Sequence, residues 1–125
     1  MMNNMKHLFN KKGLLIFFIL VFFLGSARAA YILIPMDETQ KNHLKAYGIA
    51  YWVLKKEIEV SWLLNYRGGS FVFQYAKPLE AECTIRGVSF QVIADVQASS
   101  IFQEIANPQV NMEQVKLHKA PKIAV

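Results

Sequence analysis

The chain of 125 residues carries fourteen basic against nine acidic side chains, a formal net charge of +5, and 54% of its residues are hydrophobic, a composition that folds and excludes a disordered basic tail. Four of the basic residues, Lys6, Lys11, Lys12 and Arg28, lie before residue 30. The remainder is nearly neutral, ten basic against nine acidic, and shows no clustered Lys/Arg footprint for a nucleic acid. The single cysteine, Cys83, excludes an intramolecular disulfide.

The first twelve residues are polar and basic, and residues 13–24 (GLLIFFILVFFL) contain no polar side chain. Twelve residues fall short of the roughly 20 that a helix needs to cross a hydrocarbon core. Ala27 and Ala29 then place small side chains two positions apart. This is the pattern of a secretory signal peptide over residues 1–29, cleaved after Ala29, which makes the protein exported, periplasmic or secreted. The alternative is an uncleaved N-terminal anchor. No cysteine stands at the cleavage site, so a lipoprotein thioether has no acceptor there. Residues 30–125 are long enough for one small domain, and the membrane is expected to meet the protein only through the segment before cleavage.

Residues 31–34 form a continuous apolar run stopped by Pro35, as a strand buried on both faces would. Asp37 and Gln40 have the spacing of a capping box, which predicts a helix from Asp37 with Leu44, Tyr47, Tyr51 and Leu54 along its buried stripe and Lys41, Lys45 and Lys55 off it. Period-two alternation predicts a second strand over 58–64, and Phe71-Val72-Phe73 again reads as extended. Pro78 in a first turn and Gly87 past the end bracket a helix over 79–86. A third strand over 88–94 and a helix over 99–106, stopped by Asn107-Pro108, follow. Residues 110–120 give only a weak helical signal at Met112, Val115 and Leu117, and 122–125 read as a fourth strand that breaks off, as in a truncated chain. This alternation predicts an α/β, three-layer, mostly parallel sheet, flavodoxin-like or Rossmann-like in outline.

In such a sheet ligands collect at the carboxyl ends of the strands. There Arg67, Gly68, Gly69 and Ser70 admit two readings: a site for a small anionic ligand, with guanidinium, backbone N–H groups and a hydroxyl converging, or simply the turn before Phe71. The loop matches neither glycine-rich nucleotide motif, so no cofactor is expected. Asp37 and Asp95 read as helix caps or as acid and base groups. His43 and His118 have no ligand neighbour at metal spacing, so no metal site is expected. Trp52, Trp62, Tyr47, Tyr51 and Tyr66 read as core or as a sugar-stacking platform.

The segments 31–55 (YILIPMDETQKNHLKAYGIAYWVLK), 62–71 (WLLNYRGGSF) and 119–125 (KAPKIAV) together resemble a bacterial family of exported proteins carried under the label asparagine synthetase B. The resemblance implies a longer protein continuing into a glutamine-amidotransferase-like α/β domain. Glutamine-dependent asparagine synthetases use an N-terminal cysteine and a Ser-Gly-Gly-x-Asp-Ser loop. Here position 2 is Met2, the cysteine is internal, and the Arg67 loop lacks the acidic residue and the second serine. No catalytic residue is carried over. Two functions stand open: a domain binding a small ligand or another envelope component, and the N-terminal part of an amide-handling enzyme whose active site lies beyond Val125.

Overall fold

The computed structural model describes residues 11–20 and 29–122. Residues 11–20 are helical. Eight elements follow: β1 (Ala30–Ile34), α1 (His43–Lys55), β2 (Val60–Leu64), β3 (Ser70–Gln74), α2 (Lys77–Arg86), β4 (Gln91–Ala94), α3 (Asp95–Ala106) and β5 (Glu113–Leu117). The strands form one sheet in the order β4-β1-β3-β2-β5, and every neighbouring pair is antiparallel.

The expected mostly parallel, flavodoxin-like or Rossmann-like sheet is therefore wrong, and the reason is local. Only five residues, 65–69, separate β2 from β3, and a connection that short joins antiparallel strands alone. β1 and β2 run the same way, as α1 demands, but β3 inserts between them, pairing Ile32 with Phe73 on one side and Phe73 with Val60 on the other. The run β1-α1-β2-β3-α2-β4 with spatial order 4-1-3-2 is the split βαβ, ferredoxin-like arrangement. α3 and β5 extend it.

Strand alternation divides the core. Ile32, Ile34, Val60, Phe71 and Phe73 point to the face covered by α1 and α2, where they meet Ile49, Val53, Leu79 and Cys83. Leu33, Leu63, Val72 and Ile93 point to the other face, where α3 supplies Ala98, Ile101 and Ile105. Each fully buried Ile, Leu, Val or Phe contributes about 1.5–3 kcal/mol relative to exposure.

α1 begins at His43 and not at Asp37. Asn42 is its cap, its side chain accepting the Lys45 N–H at 3.0 Å. Asp37 instead closes a turn of its own by accepting the Thr39 N–H at 3.0 Å. The buried stripe is Ala46, Ile49, Ala50, Val53 and Leu54. Leu44 is 82% exposed and Tyr47 52% exposed, so half of the expected stripe faces outward, Tyr51 is half-buried, and only Leu54 is buried as expected. α2 keeps the bracketing read from the sequence, with Pro78 in its first turn and Gly87 left-handed at φ 70°. α3 starts at Asp95, four residues earlier than expected, with Asp95 in its first turn and Ala94 as the cap. Residues 113–117 are a strand, not a helix: Val115 and Leu117 alternate with Gln114 and Lys116 across β2. The expected strand at 122–125 lies, beyond its first residue, outside the described residues, as do residues 1–10 and 21–28 of the expected signal peptide.

Candidate functional site

The β2–β3 loop is built from backbone conformations that few residues tolerate. Asn65, Arg67, Gly68 and Gly69 have φ of 62°, 45°, 81° and 91°. The reversal is held by Gly69 and Ser70 N–H groups donating to the Tyr66 carbonyl, both at 3.0 Å. Gly68 lies against the Met36–Asp37 peptide so closely that a Cβ would fall 2.4 Å from the Met36 oxygen. The Met36 N–H donates in turn to the Arg67 carbonyl at 3.0 Å.

Arg67, Gly68, Gly69 and Ser70 thus come together, but their polar groups are turned inward. Arg67 Nε donates to Asp37 Oδ2 at 2.9 Å, Nη2 to Thr39 Oγ1 at 3.2 Å and Nη1 to Gln91 Oε1 at 3.4 Å. The fully buried Ser70 hydroxyl faces the carbonyls of Tyr66 at 3.0 Å and Arg67 at 3.2 Å. The Thr39 hydroxyl also donates to Asp37 Oδ1. These hydrogen bonds, Thr39 first and Arg67 second, hold the Asp37 carboxyl at a pKa of about 2.

Gln40, expected as half of a capping box, is a buried strut between two loops. Its Nε2 donates to the Pro35 and Ser89 carbonyls, each at 2.9 Å, and its Oε1 accepts the Ser89 N–H at 2.7 Å and the Asn42 N–H at 3.3 Å. His43 Nε2 reaches the Met36 and Asp37 carbonyls at 3.1 and 3.0 Å, so that nitrogen carries a proton. The 35–43 segment is thereby fixed from three sides. His118 stands elsewhere, 3.4 Å from Glu59 on the surface. Among the described residues no three His, Cys, Asp or Glu side chains gather as a metal site.

The named aromatics do not form one platform. Trp62 stacks on Phe71 at 6.0 Å and donates to the Gly69 carbonyl at 3.2 Å, while Tyr47 meets Phe71 edge-on at 5.8 Å. Trp52 lies under Lys56 and Arg86, and Tyr66 packs on the opposite face against the α3 core. Cys83 is buried, and that burial pushes its thiol up to about 11.

The concave surface lies elsewhere. α3 leaves the β2–β3–β5 part of its sheet face open, and two adjoining recesses of about 470 and 450 Å³ share Phe102 and Gln114. The first lies between the end of α3 and the start of β5, lined in part by Asn65, Asn107 and Asn111. The second has Ser61 and Val72 among its lining residues, with Tyr31, Glu59 and Lys116. Gln114 Nε2 donates to Ser61 Oγ at 3.1 Å across the strand pair. Apolar side chains beside amides, a hydroxyl and two opposite charges can hold a small polar ligand with one apolar face. Sequence reading missed this cleft because its wall, β5, read as a weak helix. The usable signal was Ser61, a polar residue inside an otherwise apolar strand. A scan of protein-family models matched none, and neither a search of curated proteins nor one of solved structures found a match.

Proposed function

We propose that this is an exported, non-catalytic binding domain of the bacterial envelope that takes a small polar ligand in the cleft between α3 and β5. The observation that carries the reading is the pair of recesses joined at Phe102 and Gln114. Export is supported by the helical residues 11–20, whose apolar side chains from Leu14 to Leu20 are half or more exposed and contribute to neither core. Among the described residues no helix is long and apolar enough to cross a membrane.

The amide-handling reading suggested by the family resemblance places its active site beyond Val125, so the residues of this chain bear only on whether they add a nucleophile of their own. The chain's cysteine is buried with its thiol protonated at neutral pH, and the Ser70 hydroxyl is bonded to backbone carbonyls. The anion-site reading of Arg67 requires donors that here serve Asp37, Thr39 and Gln91. Within this chain, the open cleft is therefore the better supported place for a ligand than the Arg67 loop.

Screening the protein against a library of small polar compounds by amide NMR tests this. Binders should shift Ser61, Phe102 and Gln114 resonances together and lose affinity in Phe102→Ala. Shifts confined to the Arg67 loop, or no binder at all, would overturn it. N-terminal sequencing of the exported product should read from Ala30; an intact Met1 would refute cleavage.

A further inference from the structure

Between Glu38 and Glu57 the chain carries four lysines, Lys41, Lys45, Lys55 and Lys56, and no carboxylate. All four are exposed. In the sequence they are spread over sixteen positions; Lys45 and Lys55 stand on α1 away from its inward-turned Ala46, Ile49, Ala50 and Val53, Lys41 precedes the helix and Lys56 is its C-cap. Leu44, Tyr47 and the half-buried Tyr51 also stand on α1. Lys55 Nζ lies 5.5 Å from the centre of the Tyr51 ring, so charge and ring occupy one patch. A single exposed leucine is ordinary on a folded protein. An aliphatic and two tyrosines on α1, set beside lysines that form no ion pair among the described residues, are a combination with a chemical preference.

We propose that this face of α1 rests on an anionic phospholipid surface, the lysines against lipid phosphates and Leu44, Tyr47 and Tyr51 at head-group depth. Basic residues near an anionic leaflet are drawn to it, and tyrosine rings settle at the membrane interface. A nucleic-acid backbone is the competing polyanion, but its binding rests on charge alone and leaves the exposed leucine and tyrosines without a partner. The inference is independent of the cleft.

The test uses the chain beginning at Ala30, since among the described residues both cores consist of residues from Tyr31 onward. Co-sedimentation with vesicles of phosphatidylcholine alone, and of phosphatidylcholine mixed equally with phosphatidylglycerol, should show at least about tenfold tighter binding to the mixed vesicles at low salt. The double variant Lys45→Glu/Lys55→Glu should lose that preference. Leu44→Ser/Tyr51→Ser should weaken vesicle binding about tenfold while leaving any binding to a DNA duplex unchanged. Circular dichroism checks that both variants remain folded. Equal or absent binding to the two vesicle types, a preference that survives the lysine variant, vesicle binding unmoved by the Leu44/Tyr51 variant, or a duplex bound as tightly as the mixed vesicles would each overturn the proposal.

Discussion

Arg67 and Asp37 sit thirty positions apart, and their 2.9 Å ion pair joins the β2–β3 loop to the turn after β1. Both side chains are 28% exposed, so the pair alone is a modest contributor. Its weight comes from its company, since Thr39 bonds both partners and the backbones of Met36 and Arg67 are also joined. The pair fixes where two loops meet at one end of the sheet.

A carboxyl held at about 2 in the folded chain and near 3.8 when unfolded binds its proton later in the folded state. Between those values the unfolded chain carries more protons, so stability falls as pH drops from about 4 toward 2, and the contribution is complete above that window. Asp37→Asn should therefore be less stable than the native chain at neutral pH, with the difference vanishing near pH 2. Urea midpoints measured across this range check it, and a carboxyl NMR titration gives the Asp37 value directly.

Gly68→Ala should be among the most damaging single changes in the chain. The left-handed φ of 81° costs an alanine about 1–2 kcal/mol, and its Cβ would collide with Met36 backbone, for a total of about 3 kcal/mol or more. Gly87→Ala shares the left-handed backbone at φ 70° but meets nothing within 4 Å, so it should cost only about 1 kcal/mol. Thermal or chemical denaturation of the two variants side by side separates collision from conformation.

Gln40→Ala should destabilise by about 2–4 kcal/mol, because it strips partners from the Ser89 N–H and from the Pro35 and Ser89 carbonyls in a buried place. Hydrogen exchange should show the 35–42 and 87–90 segments loosening together, ahead of global unfolding. Exchange confined to one of them would contradict the strut.

Ile49→Ala should cost about 2–5 kcal/mol, whereas Leu44→Ala should stay within about 0.5 kcal/mol. The comparison tests the register of α1, and it marks where sequence and structure part. Leu44, Tyr47 and Tyr51 are bulkier than Ala46 and Ala50 and dominate a reading by hydrophobicity. The crowded contact with the sheet selects the smaller stripe, and the large side chains are left outside.

The same reasoning locates what was readable elsewhere. α2 was legible because Pro78 and Gly87 act through backbone geometry that no tertiary context changes. Strand direction was not, since alternating strands and helices describe both a parallel sheet and a split βαβ. The discriminating fact was the five-residue interval between Leu64 and Ser70, which forces a hairpin. β5 escaped because it is half exposed, so its apolar residues are only Val115 and Leu117. The Arg67 loop was legible as a turn with converging polar groups; that they converge on Asp37 and Thr39 depends on β1 and β2 being held in one sheet.

β1 lies inside the sheet, between β3 and β4, although it is the first strand of the chain. Its partners begin at Ser70 and Gln91, forty and sixty-one residues after Ala30. A chain made amino terminus first thus holds this inner strand unpaired until β3 has followed, and leaves its other edge open until β4 has. Completion of the sheet is reserved for its late strands, so the polypeptide stays open until most of the domain has been made.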